Sequence, residues 1–183
     1  MSTFSKIYIK IDCIDNIINE FKYFYTIRNI DYLESPKWWY YNDYETIIIS
    51  KKNYNWIEIE VQFLHSLYIY DEFLRRLSKK YNTIGILGYY QSAVGAGRIA
   101  RFEKGKMMLS ITQTYITNED FDKTILTDNF GVDEFIRKEF KISNLYEEFN
   151  LFDNDFINNF LHKEGVCMSE ISEVSYVHLE RIN

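Results

Sequence analysis

Two hydrophobic periodicities alternate along the first 114 residues, and they constrain the fold more than any other feature of the sequence. Apolar residues occupy every second position in 7–11, 57–63 and 107–111, which is the spacing of half-buried β-strands. Between these segments, apolar residues recur every three or four positions in 14–25 and 67–81, as in amphipathic helices. A chain that mixes both patterns is predicted to fold as an α+β domain.

The order of these patterns predicts a specific arrangement of elements. Asp12 is placed to cap the first helix, and Ser66 is placed to cap the second. Residues 28–44 have no clean period and contain the only proline, Pro36, so we expect a long loop there. The first six elements match the ferredoxin-like split βαβ plan, which an antiparallel meander then extends. The predicted strands are 6–12, 45–50, 54–63, 83–92, 98–103 and 106–113.

Charge divides the chain into two unequal parts. Residues 1–114 carry 15 Lys and Arg against 12 Asp and Glu, a net charge of +3. Residues 115–183 carry 6 against 15, a net charge of −9. The length of 183 residues suits one domain. We therefore predict an α+β core over 1–114 and an acidic, mainly helical C-terminal subdomain over 115–183, both within a single domain.

The acidic part contains its own helical patterns. They cover 132–141, 144–151 and 154–163, and Asp153 is placed to cap the last of them, which Gly165 is expected to end. Residues 175–182 fit a closing strand. An acidic surface attracts basic partners, although acidic residues also serve simply as a solvated face. The candidate partner-binding carboxylates are Asp120, Asp122, Asp128, Asp133, Glu134, Glu147 and Glu148.

A run of aromatic residues follows a single lysine inside the predicted loop. Trp38, Trp39, Tyr40 and Tyr41 come directly after Lys37, and no packing period accounts for them. Such a run suits the buried centre of a protein interface. It also suits a loop that folds back to fill the core. Both interpretations remain open, and the overall negative charge makes nucleic acid an improbable partner.

Two motifs are compatible with chemistry or with a small ligand. Gly95-Ala96-Gly97 resembles the start of a dinucleotide-binding loop, but strand-like alternation follows it, which favours a hairpin turn. Glu58 and Glu60 lie two positions apart on one strand and project to the same face. They could serve acid–base chemistry, or they could be the wet face of a half-exposed strand. The Arg98 and Arg101 side chains are expected on opposite faces, which weakens a joint anion clamp.

Other residue types give no sign of a cofactor. Cys13 and Cys167 are far apart, and His65, His162 and His178 have no metal-ligand spacing, so we expect no metal and no cofactor. The first residues contain no apolar secretory segment, and no apolar stretch is long enough to span a bilayer. We expect a cytoplasmic protein without a membrane partner.

The middle of the chain resembles a known class of bacterial proteins. The segment 65–83, the Gly88-Tyr-Tyr-Gln-Ser92 strand and the Arg98–Lys106 strand and turn are similar to immunity proteins of polymorphic or contact-dependent toxin systems. That resemblance implies a protein that binds a cognate toxin domain, such as a basic nuclease, and blocks it without catalysis of its own. The alternative is a small-ligand-binding or enzymatic domain that uses the Gly95–Gly97 hairpin, Glu58 and Glu60.

Overall fold

The computed structural model describes residues 3–33, 44–52, 55–61, 67–92, 95–117, 122–132, 153–166 and 176–182. Within these ranges the chain has the predicted α+β class, with helices packed on a nine-stranded sheet. A 3₁₀ turn over Leu67–Tyr70 leads into the second helix. The elements are β1 (Thr3–Lys10), α1 (Ile14–Phe24), β2 (Thr26–Leu33), β3 (Tyr44–Lys51), β4 (Trp56–Val61), α2 (Asp71–Lys80), β5 (Ile84–Gln91), β6 (Ala96–Glu103), β7 (Lys106–Thr117), β8 (Asp122–Phe130), α3 (Asn154–Lys163) and β9 (Tyr176–Ile182).

All neighbouring strands of the sheet are antiparallel. Their order is β2-β9-β3-β4-β1-β5-β6-β7-β8. The first strand, β1, lies in the middle, where Ile7 is opposite Ile59 on one side and Leu87 on the other. The last strand, β9, is inserted between β2 and β3. Strands β1 and β9 therefore belong to one sheet, with β3 and β4 between them.

Helices α1 and α2 cover one face of the sheet, which we call the α1/α2 face. Ile17 and Phe21 of α1 and Phe73, Leu74 and Leu77 of α2 are all fully buried there. The helices meet through aromatic rings, and the Phe21 and Phe73 centroids are 4.4 Å apart. Each such side chain contributes about 1.5–3 kcal/mol when buried. The apolar stripe predicted for the second helix is thus confirmed at Leu74 and Leu77.

The opposite face is covered by α3, and we call it the α3 face. Ile157 and Leu161 of the helix pack with Ile99 and Ile111 of the sheet. Helix α3 begins as predicted, because the Asp153 side chain accepts a hydrogen bond from the backbone N–H of Phe156. It is followed by Gly165, whose φ of 82° suits glycine. The sheet is therefore a middle layer with helices on both sides.

Three local expectations at the starts of elements are wrong. Strand β2 occupies the beginning of the predicted 28–44 loop, because it pairs with β9 from the far end of the sequence. Cys13, not Asp12, precedes α1, and it makes no side-chain cap. The α2 helix starts only at Asp71, with Tyr70 at its N-cap position, and Ser66 lies outside the described residues.

The C-terminal part is less helical than expected over its described residues. Strand β7 continues to Thr117, and residues 122–130 form strand β8, which the sequence pattern did not predict. The predicted closing strand is confirmed as β9, and the predicted helix over 154–163 is confirmed as α3. The helical patterns at 133–141 and 144–151 lie outside the described residues.

A tight turn joins β6 to β7 at the predicted position. Lys104 and Gly105 have φ angles of 49° and 86°, so both central residues are left-handed, as a type I′ hairpin turn requires. A Cβ on Gly105 would lie 2.8 Å from the Cβ of Lys79. Glycine therefore lets the hairpin pack directly against the end of α2.

No helix among the described segments is both long enough and apolar enough to cross a lipid bilayer.

Candidate functional site

Most residues predicted to bind a partner lie outside the described parts of the chain. Trp38, Trp39, Tyr40 and Tyr41 fall within 34–43, and their role in binding stays a prediction. The same holds for several of the acidic candidates: Asp120, Asp133, Glu134, Glu147 and Glu148. The structure places the two remaining candidates, Asp122 and Asp128, in strand β8.

Strand β8 brings these two acidic residues to one end of the sheet. Among the described strands it pairs with β7 alone, and Asp128 lies opposite Thr112 while Asp122 lies opposite Thr117. The register shifts next to Thr112, so β8 contains a bulge. Bulges of this kind increase local twist and re-aim side chains at sheet edges. Among the strands that the structure describes, β8 is thus an edge strand, and it lies within the acidic part of the chain.

Large apolar side chains are exposed beside β8. The exposed fractions are 48% for Tyr68, 45% for Met108 and 52% for Phe130. Phe130 is opposite Ser110, and the Tyr68 hydroxyl is 3.2 Å from Thr112 Oγ1. Ser110 and Thr112 point to the same face of β7 because they are two positions apart. Tyr68 and Phe130 therefore lie over neighbouring positions of one strand.

Met108 is held next to Phe130 by a close backbone approach. Gly131 has a φ of 70°, and a Cβ there would lie 1.9 Å from the Met108 carbonyl oxygen. Only glycine fits this position, so the end of β8 packs directly on the bulge of β7 that contains Met108. Ile69, next to Tyr68, is also exposed. We call Tyr68, Ile69, Met108 and Phe130 the apolar patch.

Arg98 fixes the position of Tyr68 from beneath. Its guanidinium is fully buried, donates to both Asp71 carboxylate oxygens at 2.7 and 2.8 Å, and lies 3.3 Å from Ser110 Oγ. The guanidinium carbon is 4.0 Å from the centre of the Tyr68 ring. A two-point charged hydrogen bond and a cation–π contact both favour a single geometry. The exposed Tyr68 ring is therefore pre-organised.

Glu58 and Glu60 project to the same face, the α3 face, but the expected wet face is wrong for Glu58. That residue is buried, accepts hydrogen bonds from Tyr8 Oη at 2.8 Å and Lys6 Nζ at 3.2 Å, and lies 3.4 Å from the buried Lys52 Nζ. The cause is the central position of β4, which neighbours β1 within a sheet covered on both sides. Glu58 thus ties three other residues together.

Glu60 differs from Glu58 in its surroundings. Its side chain is 36% exposed and its Oε2 is 3.7 Å from Lys6 Nζ. Burial raises the pKa of Glu60, and the Lys6 charge opposes that effect only in part. Burial and the Glu58 charge raise the pKa of Tyr8 well above its ordinary value, so that hydroxyl stays a donor. A raised pKa is the direction expected of a carboxyl that transfers protons, so Glu60 is the candidate for such a role.

The glycine motif lies apart from this cluster. Gly95 has a φ of 62° between β5 and β6, so the predicted hairpin turn is confirmed and no helix follows it. Strands β1 and β5 separate β4 from β6. Strand spacing near 4.8 Å puts Glu60 roughly 14 Å or more from Gly97. The structure does not bring these elements of the alternative function together.

The two arginines face opposite sides of the sheet, as predicted. Arg98 pairs with Asp71 on the α1/α2 face, whereas the Arg101 Nε donates a hydrogen bond to Glu164, just after α3, at 3.0 Å.

The described histidines lie apart from each other: His162 is exposed in the last turn of α3, and His178 is in β9. In the described part of the chain no cluster of His, Cys, Asp and Glu could hold a metal ion. An open groove of about 600 Å³ runs along residues 22 and 25–30.

Sequence reasoning missed the apolar patch. The signal for Tyr68 was present, because this aromatic lies off the apolar stripe formed by Tyr70, Phe73, Leu74 and Leu77. Phe130 gave no comparable signal. Its exposure depends on the strand that brings it opposite Ser110, and that pairing is not visible in the sequence.

Comparison of the chain with protein-family models, with curated protein sequences and with solved structures gave no match.

Proposed function

We propose that the chain is an immunity-type binding protein, which neutralises a cognate toxin domain by protein–protein interaction and turns an acidic surface toward a basic partner. The observation that carries this proposal is the apolar patch at the end of strand β8, the strand that also contains the candidate carboxylates Asp122 and Asp128. Exposed apolar groups with charged residues around them have the composition of a protein interface, in which an apolar centre is enclosed by a polar rim.

The charge distribution of the chain supports a basic partner. Asp122 and Asp128 belong to the part of the chain, 115–183, that carries a net charge of −9. Such a surface would attract a basic domain and raise the rate of encounter. The aromatic and apolar side chains of the patch would then provide short-range affinity. The resemblance of 65–106 to immunity proteins points to a toxin as the partner.

We also propose that the core follows the ferredoxin-like split βαβ plan. The strand order β3-β4-β1-β5 supports this, because β4 separates β1 from β3 and β1 separates β4 from β5. Helix α1 comes between β1 and β3 in the sequence, and α2 comes between β4 and β5. On this plan β2 and β9 are an addition at one end of the sheet, and β6, β7 and β8 extend the other end.

The proposal is tested with a protein partner that copurifies with this chain, by measuring association and dissociation rates. Reversal of Asp122, Asp128, Glu147 and Glu148 to Lys should mainly slow association, because rim charges steer encounter. Salt at about 0.5 M should slow the wild type in the same way, because the Debye length is then below ~5 Å. An unchanged association rate with unchanged salt dependence would mean that the acidic residues are only a solvated surface.

The patch should control dissociation instead. Phe130→Ser and Met108→Ser should speed dissociation by the equivalent of about 2 kcal/mol if they lie at the centre of the interface. Trp38→Ala and Trp39→Ala should do the same. Tyr32→Ser is the matched control, since Tyr32 is 67% exposed but lies on β2 at the opposite end of the sheet. An equal effect of the control and the patch variants would exclude the patch as the contact.

One observation favours a second function, proton transfer at the α3 face. The raised pKa of Glu60 beside Lys6 is the feature that an acid catalyst or a ligand-binding carboxyl would have. A ligand there would be contacted by Glu60 and Lys6, with Glu58 holding Lys6 in place. The two functions are separated by comparing variants. If the patch variants lose partner binding while Glu60→Gln leaves it unchanged, the result counts for the binding function and against proton transfer at the α3 face.

A further inference from the structure

Exposed lysines from three separate segments form one corner of the molecule, which we call the lysine rim. They lie at the end of β1, at the end of α2 and in the turn between β6 and β7. All of them are exposed, with side-chain fractions of 50% for Lys80 and 60% for Lys104. The members of the lysine rim are Lys10, Lys79, Lys80, Lys104 and Lys106.

Hydrogen bonds around Thr83 hold these segments together. Thr83 Oγ1 donates to the Lys10 carbonyl at 2.5 Å, and the Thr83 carbonyl accepts from the Lys104 N–H at 3.0 Å. Ser78 Oγ accepts from the Gly105 N–H at 3.0 Å, which joins the hairpin to α2. The lysines therefore share a fixed backbone scaffold although they are far apart in the sequence.

The acidic groups near the rim have other partners. Glu103 lies 4.0 Å from Lys104 Nζ, but it also accepts from Arg101 at 3.1 Å. Glu20 is buried and is shared between Arg76, at 2.8 Å, and Lys80. The rim therefore keeps a surplus of positive charge on a protein whose net charge is −6.

Helix-end electrostatics accounts for only part of this cluster. Lys79 and Lys80 suit the negative end of α2. Lys104 belongs to the hairpin turn that packs against the same helix end. Lys10 and Lys106 belong to strands, and the Lys10 ammonium lies 5.9 Å from the centre of the Trp56 ring. An external anion would give the exposed lysines of the rim a common partner.

We infer that the lysine rim binds a carboxylate-rich segment of a protein partner. Lysines are mobile point charges that suit closely spaced carboxylates without fixed geometry. A short acidic segment senses mainly charges within the Debye length of about 8 Å. Glu164 of the acidic part, which shares Arg101 with Glu103, is compensated by that arginine. A nucleic acid or an anionic membrane is extended and would also meet that acidic part. The rim likewise contains no arginine, the side chain preferred for bidentate phosphate contacts. This inference is independent of the proposed toxin partner, because it uses a different and oppositely charged surface.

The probe is a short, fluorescently labelled oligoglutamate peptide, and its binding is measured by anisotropy. The double variant Lys79→Glu/Lys104→Glu should weaken binding by about tenfold or more, as expected for the loss of local electrostatic attraction. Lys22→Glu/Lys163→Glu is the matched control, with the same change in net charge at two exposed lysines outside the rim. The control should bind within about twofold of the wild type.

Circular dichroism and urea unfolding establish that both double variants are folded. The neutral variant Lys104→Gln/Lys106→Gln replaces the reversal variant if that one does not fold, and it should also weaken binding. Equal losses in rim and control variants, or no binding of the peptide, would overturn the inference. Tighter, rim-dependent binding of labelled single-stranded DNA or phosphatidylserine vesicles would also overturn it and assign the rim to nucleic acid or to a membrane.

Discussion

At the scale of single residues, the molecule buries several charges and pairs each of them with distant parts of the chain. Glu58 holds Tyr8, which is 50 residues away, and Glu20 holds Arg76, which is 56 residues away. Arg98 holds Asp71 across 27 residues. A buried charge is stable only when it is paired and hydrogen-bonded. These pairs therefore fix which strands and helices lie next to each other.

Removal of the Glu58 charge should destabilise the fold strongly. Glu58→Gln removes the buried carboxylate that lies 3.4 Å from Lys52 Nζ, and a broken buried pair costs about 3–5 kcal/mol. Urea unfolding of the variant measures this change. Tyr8→Phe removes only one of the donors to this carboxylate and should cost less, about 1.5–3 kcal/mol, the range for a hydrogen bond to a charged group. A Glu58→Gln variant as stable as the wild type would mean that the cluster does not hold the strands.

Glu60 should make stability depend on pH in a specific direction. The pKa of Glu60 is raised in the folded state, so protonation of this carboxyl favours the folded protein. This stabilisation is fully present below the unfolded pKa of 4.5 and is lost as the pH rises through the folded pKa. Glu60→Gln stays neutral and should therefore be more stable than the wild type at neutral pH. The two should converge in acid. Urea unfolding across that pH range tests this, and a constant difference would contradict it.

At the scale of helices and strands, the sequence predicted those elements that carry an uninterrupted period. Strands β1, β4 and β7 alternate cleanly, and α2 has a regular stripe, so all four were found. Strands β2 and β8 were missed because a bulge interrupts the pairing of each, at Ile27/Asn29 and at Thr112/Gln113. The pairing of β2 with β9 also joins residues too far apart for local pattern to reveal.

Helix α2 should be the element most sensitive to loss of core volume. Leu74→Ala should lower the free energy of unfolding by about 2–5 kcal/mol, because Leu74 is fully buried between α2 and the sheet. Arg75→Ala is the control on the same helix, since Arg75 is exposed and pairs only with the exposed Glu72. It should unfold close to the wild type. Equal stability of Leu74→Ala and the wild type would mean that this face of α2 does not pack on the sheet.

At the scale of the whole molecule, the candidate surface could be predicted only in part. The negative charge of 115–183 is a property of composition, so it was visible, and two of its members are now located in β8. The apolar patch was not visible. It combines the 3₁₀ turn before α2 with β7 and β8, and only the sheet order brings these together. Sequence pattern gives the chemistry of a surface but not the residues that meet there.

The central claim is that the chain acts by binding a partner and not by catalysis, and the most direct measurement is an inhibition titration. Increasing amounts of the purified chain are added to a toxin domain that copurifies with it, and the remaining toxin activity is measured. A tight binder should lower that activity linearly, with an end point at about one equivalent that does not change with time. Complete inactivation by a small fraction of an equivalent, progressing with time, would indicate catalysis. That result, or full toxin activity at every ratio, would contradict the account.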